Sequence, residues 1–150
     1  MFKKSFITLV VVALVSISSF AANNLNKSNL FRDAKMKDIS AMSKQERKPI
    51  LIYVGANNCL QSQKMNETLE NKEVTAFLKS KFVCKSLNAG NFIDQFVATN
   101  YGVTQIPCFI YINGNGEVIY KSIGFKKGVQ MIDEAKKALL LMRDQNGRII

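Results

Sequence analysis

Past the N-terminal segment, two apolar runs break a chain whose hydrophobic positions otherwise come in spaced groups. Ile50, Leu51, Ile52 and Val54 make the first, and Ile106-Pro107-Cys108-Phe109-Ile110-Tyr111-Ile112 the second. Both are short and rich in β-branched or aromatic residues, as expected of strands buried on both faces. Phe82-Val83-Cys84-Lys85-Ser86-Leu87 reads as a further strand, with Asn88-Ala89-Gly90-Asn91 as the turn that follows it. Asn113-Gly114-Asn115-Gly116 is a hairpin signal, so residues 117–121 return antiparallel to the second run.

The spaced groups predict helices. Leu30, Ala34, Ile39 and Met42 share one face of a lead-in helix, with Ser28 or Asn29 as N-cap. Lys48-Pro49 ends it, because a residue before proline avoids the helical region. Met65 and Leu69 place a helix after Cys59, and Asn71 is a second cap or kink before Val74, Phe77 and Leu78. Residues 92–100 form a short helix, and residues 124–128 a loop. Val129, Ile132, Ala135, Leu139 and Met142 mark a final amphipathic helix. The order β-α-β-α-β-β-α, after a helical lead-in, implies an α/β fold: a mixed sheet with helices on both faces.

Length changes this picture little: 150 residues, 47% hydrophobic, suit one domain. The formal charge of +10 comes from lysines scattered through every segment rather than gathered in a stripe. That distribution makes a solvated basic surface, weakly attracted to anionic membranes, and gives no nucleic-acid footprint. The first residues matter more. Lys3 and Lys4 precede an apolar stretch over residues 6–17, and Ser19 and Ala21 stand at the −3 and −1 positions of a cleavage site before Ala22. We expect residues 1–21 to be a signal peptide and residues 22–150 one domain, its core at about 48–143. The rival is an uncleaved anchor, but the apolar stretch is broken by Thr8 and Ser16 and falls short of the ~20 residues a span needs. The mature protein is therefore expected in the periplasm or secreted, without an integral membrane span, where disulfides persist.

The candidate chemistry lies at the end of the first strand. Gly55-Ala56-Asn57-Asn58 breaks the run, and Cys59 stands where a helix begins. A sulfur there meets unpaired backbone N–H groups and the positive end of the helix dipole. Both favour thiolate, and can bring a pKa of about 8.5 down into the range ~3.5–7.5.

Two strings and the element order resemble the thioredoxin-like superfamily. Cys59-Leu60-Gln61-Ser62-Gln63-Lys64-Met65 is similar to that family's Cys-x-x-Cys-Lys-x-Met, with serine at the second cysteine position. Tyr101-Gly102-Val103-Thr104-Gln105-Ile106-Pro107 is similar to the segment leading into its cis-proline. The resemblance covers roughly residues 48–142. Asn71-Lys72-Glu73-Val74, Phe77-Leu78 and Phe82-Val83 further resemble the secreted branch that includes the anterior gradient proteins, which also carry Cys-x-x-Ser. The resemblance implies a thioredoxin-like fold, Cys59 as exposed nucleophile and a cis Ile106–Pro107 bond. It also implies that the Ile106 backbone and Pro107 meet an extended substrate beside the sulfur, with Asn58 flanking it.

The departures narrow the chemistry. Asn58 stands where the family has tryptophan, and Tyr53 where thioredoxins bury a proton-accepting aspartate; the chain has no histidine to replace that base. Ser62 can donate a hydrogen bond to the Cys59 thiolate but cannot attack a mixed disulfide. A dithiol site resolves that intermediate internally, whereas a single thiol waits for an outside one. Net dithiol redox chemistry by Cys59 and Ser62 alone is thereby excluded. Cys108, next to Pro107, is either a resolving thiol or a small core residue, and Cys84 reads as core. Three widely spaced cysteines without histidine offer no metal site, no cofactor is implied, and a Ser62 hydrolase lacks its base.

Two functions fit. One is monothiol exchange through Cys59 on client-protein disulfides or low-molecular-weight thiols. The other is a non-catalytic binding or chaperone-like module that kept the fold and lost redox activity.

Overall fold

The computed structural model describes residues 29–143, 147 and 148; the expected signal peptide and the candidate cap Ser28 lie outside them. Nine elements follow in order: α1 (Met36–Glu46), β1 (Ile50–Gly55), α2 (Leu60–Glu70), α3 (Lys72–Lys81), β2 (Val83–Asn88), α4 (Phe92–Asn100), β3 (Cys108–Ile112), β4 (Val118–Ile123) and α5 (Gly128–Leu141). The sheet runs β2-β1-β3-β4. β1 pairs parallel with β2 and antiparallel with β3, and β3 pairs antiparallel with β4. This is the α/β fold that the element order implies, a mixed sheet with helices on both faces, and the thioredoxin-like arrangement that the resemblance implies.

Alternation along the central strands builds two cores. Leu51, Tyr53, Cys84, Phe109 and Tyr111 face one side, against Met65 and Leu69 of α2, Val74 and Leu78 of α3, and Met131, Ala135 and Ala138 of α5. Ile50, Ile52, Val54, Cys108, Ile110 and Ile112 face the other, with Ile39 of α1 and Ala98 of α4. β1 is buried along its whole length because both layers cover it. Asparagines punctuate the chain between these elements. Asn71 accepts from the N–H groups of Glu73 and Val74 to start α3, and Asn91 caps α4 in the same way through Ile93 and Asp94.

Four sequence expectations are corrected. The lead-in helix starts at Met36 rather than near Asn29, and Leu30 is buried ahead of it. Phe31 instead pairs in parallel with Cys84, and the Arg32 N–H donates to the Cys84 carbonyl at 2.8 Å, so the segment is drawn out along the sheet edge. Ile106 and Pro107 precede the third strand rather than open it; proline has no N–H to give a ladder. Gly128 is the first residue of α5, not loop. On that helix Val129 is 74% exposed, and Met131 takes the buried position.

Candidate active site around Cys59

β1 delivers the chain to one end of the sheet. Gly55 at the close of β1 pairs with Asn88 at the close of β2, and Val54 pairs with Cys108 at the start of β3. Cys108 in turn pairs with Ile123 at the end of β4. The turn after Gly55, the Ile106–Pro107 bond and the loop after β4 therefore gather at the same end.

Cys59 is the N-cap of α2, with an extended backbone (φ −106°, ψ 115°), and its carbonyl accepts from the Gln63 N–H at 3.0 Å. Its side chain makes no capping hydrogen bond as the neutral thiol. The second and third helical amides, those of Gln61 and Ser62, are the donors that an N-cap side chain normally satisfies. They point at the half-exposed sulfur. The Cys59 pKa is accordingly lowered, first by the Ser62 hydroxyl and then by the Ser62 amide; desolvation opposes them, and the Gln61 amide adds the smallest lowering push. No charged side chain is among these causes.

Ser62 is fully buried, and its Oγ has no hydrogen-bond partner in the resting geometry. A thiolate at Cys59 is the acceptor that this hydroxyl is placed to serve. The Tyr53 ring stacks on Phe31 and Phe109, with centroids 5.9 and 5.1 Å away. Its hydroxyl donates to the Ser62 carbonyl at 3.2 Å. Burial pushes the Tyr53 pKa up to about 12, so the phenol stays protonated at physiological pH.

The Ile106–Pro107 peptide is cis. Pro107 is buried and Ile106 half-exposed. The Pro107 carbonyl accepts from the Gly124 N–H at 2.8 Å, and the Lys121 ammonium donates to the carbonyls of Tyr101 and Gly102. Lys126, buried beside Glu134 at 3.6 Å, donates to the carbonyls of Ile123 and Gly124. Its own N–H reaches Met65 Sδ at 3.4 Å, and its carbonyl accepts from Thr68 Oγ1 at 3.2 Å. The proline loop is thus tied through residues 124–126 to the helix that Cys59 begins.

The remaining candidates fall elsewhere. Asn58 is exposed on the turn before Cys59. Cys59, Cys84 and Cys108 are all unbridged thiols. Cys108 is buried on the α1 and α4 side of the sheet, whereas α2 packs on the opposite side. Burial raises its pKa, and it pushes that of Cys84, sealed on the α2 side, up to about 12. Neither thiol shares the Cys59 environment. A cleft of about 240 Å³ opens nearby, lined by Tyr53, Asn57, Asn66, Glu70, Ser86 and Asn88 among others; Cys59 is not part of its wall. Among the described residues no cluster of three potential metal ligands occurs, and no helix is long and apolar enough to cross a membrane. Tyr53 is the site residue whose part the sequence left unread. Its trace there was the glycine two positions on, at Gly55, on the same strand face.

The family model described as a thioredoxin-like domain matches residues 36–139. No curated protein matches the chain. Among solved structures, a thioredoxin from Thermus thermophilus is 20% identical, covering 72% of this chain and 86% of its own, with a TM-score of 0.63. The C-terminal domain of DsbD from Neisseria meningitidis, in the oxidised form, is 20% identical over 68% of this chain and 90% of its own, at 0.58. A disulphide isomerase from Xylella fastidiosa Temecula1 is 28% identical over 67% of this chain and 76% of its own, at 0.53. The first two likenesses are of fold.

Proposed function

The chain belongs to the thioredoxin-like domain family, and on that premise we propose that it carries out thiol–disulfide exchange through a single nucleophile, Cys59. The Cys59 thiolate attacks one sulfur of a disulfide R–S–S–R′. A bond forms between Cys59 and R–S, the old S–S bond breaks, and R′–S⁻ leaves with the electron pair to be protonated by water. Ser62 has no sulfur with which to attack Cys59 in the mixed disulfide and expel R–S⁻. An external thiol must attack the mixed disulfide, releasing R and restoring Cys59, so the number of disulfides is unchanged over a cycle. Client proteins bearing disulfides and low-molecular-weight disulfides both fit this chemistry, with Ile106 and Pro107 meeting the extended chain and Asn58 at the rim. Residues 1–21 are proposed as a cleavable export signal that delivers residues 22–150 to the periplasm or outside the cell.

The observation that carries the reading is the half-exposed Cys59 at the N-cap of α2, with the Ser62 hydroxyl and the Gln61 and Ser62 amides placed to donate to its thiolate. To test it, the protein is incubated with glutathione disulfide and analysed by mass spectrometry. One glutathione is expected on Cys59, stable once excess reagent is removed and released by added thiol. Absence of the adduct, or its spontaneous conversion to an internal disulfide with Cys108, overturns the monothiol reading.

A second reading has one observation in its favour. Phe92, Ile93 and Phe96 on α4 are 82%, 71% and 63% exposed, a surface suited to a non-catalytic binding module. Under that reading, client binding survives Cys59→Ser unchanged.

A further inference from the structure

We infer that Tyr53 is a positioning residue for the Cys59 site: its phenol holds the Ser62 carbonyl, fixing the first turn of α2 so that the Ser62 hydroxyl and amide face the sulfur. The inference rests on the exchange reading of Cys59 and adds to it the group that replaces a buried acid as the floor of the site.

The geometry behind it is a built one. A carbonyl in the first turn of a helix already has an amide donor four residues on, so the Tyr53 hydroxyl, at 3.2 Å, gives the Ser62 carbonyl a second donor and anchors it to the sheet. The ring is restrained by stacking contacts with both Phe31 and Phe109. Gly55 leaves the room it needs. A Cβ at Gly55 would stand 2.5 Å from Tyr53 Oη and 2.7 Å from its Cζ, far inside contact distance. No left-handed backbone explains that glycine; the space over it is filled by the phenol.

The second observation is the Ser62 hydroxyl itself. It is fully buried and makes no hydrogen bond of normal geometry, as is true of Tyr111 Oη among the described residues, yet it lies close enough to the Cys59 sulfur and the Tyr53 hydroxyl to exert a lowering pull on the pKa of each. Buried polar atoms are kept unpaired at a cost, and a site that ionises is a reason to keep one. When Cys59 loses its proton, the waiting hydroxyl becomes its donor. A protonated phenol suits the supporting part, since it can donate to a carbonyl and cannot compete for the thiol proton. The proximity runs both ways, for the Cys59 charge adds to the rise in the Tyr53 pKa.

The experiment follows alkylation of Cys59 by iodoacetamide against pH in the full-length chain, for wild type, Tyr53→Phe, Ser62→Ala and the double variant. Tyr53→Phe keeps the stacked ring and removes one hydroxyl. Its midpoint is expected to move up toward that of an ordinary thiol, with the rate near neutral pH falling roughly two- to tenfold, the worth of one hydrogen bond. In the Ser62→Ala background the same change should have a smaller effect, because the hydroxyl is gone and only the amide of residue 62 is left for the phenol to position. Gly55→Ala, which pushes the phenol aside, should reproduce the upward shift, and it decides the matter if Tyr53→Phe does not fold. A depressed wild-type midpoint left unmoved in Tyr53→Phe overturns the inference while the exchange reading stands. A wild-type midpoint equal to that of free cysteine overturns both.

Discussion

Cys59→Ser is expected to bring disulfide exchange down to the uncatalysed background while the protein stays folded. The sulfur makes no side-chain hydrogen bond as a thiol and is half exposed, so little packing is lost. Serine is, if anything, a favoured N-cap, and the change should move the urea midpoint by no more than about 0.5 kcal/mol equivalent. Activity has nowhere else to go. Cys84 and Cys108 are buried, and burial holds both as thiols, with Cys84 pushed up to about 12. Transfer of glutathione from a labelled peptide, read beside a urea melt, measures both halves of the expectation. Residual turnover above background would mean that another sulfur carries the chemistry.

The second large effect is a gain. Ser62→Cys puts a sulfur three residues after Cys59, in the same first turn and in place of a hydroxyl that faces the thiolate. The mixed disulfide formed at Cys59 then has an internal attacker with an effective concentration on the order of millimolar or above. Against micromolar external thiol, its lifetime should fall by at least about a thousandfold, and an internal disulfide between Cys59 and the introduced sulfur should accumulate. The variant becomes competent in net dithiol oxidation and reduction, which the proposed monothiol cycle does not include. Acid quenching and mass spectrometry follow the adduct and the internal disulfide separately. An adduct that persists in Ser62→Cys as long as in wild type would show that the position does not face Cys59.

How far the sequence carried the fold depends on how local each signal was. The run 50–54, the breaker ahead of Cys59 and the asparagine caps at Asn71 and Asn91 each act within a turn or a strand, and the elements stand where those residues place them. The stretch at Leu30 and Phe31 carries a helical spacing too, but its backbone is held by Cys84, far along the chain. That pairing overrides propensity and is invisible to periodicity. On α5 the apolar positions support two phases, one through Val129 and one through Met131. Which phase is buried depends on the sheet it packs against.

The candidate site was legible in the same uneven way. Cys59, Ser62, Ile106 and Pro107 announce themselves through residue type at fixed spacing, and the topology gathers their segments at one sheet end. The standing of Cys108 turns on which side of β3 its sulfur leaves, and adjacent strand residues alternate sides. It shares a side with Ile110 and Ile112, away from α2. Tyr53 read only as a missing acid, since its hydrogen bond to Ser62 and its claim on the space above Gly55 are tertiary facts.

Alkylation of all three cysteines against pH, resolved by peptide mass spectrometry on the native protein, tests the central claim most directly. Cys59 should ionise below the range of an ordinary thiol and react fastest near neutral pH, since a lowered pKa enlarges its thiolate fraction there. Cys84 and Cys108, shifted the other way, should stay unmodified until the protein unfolds. Cys59 reacting no faster at neutral pH than a model thiol would contradict the account.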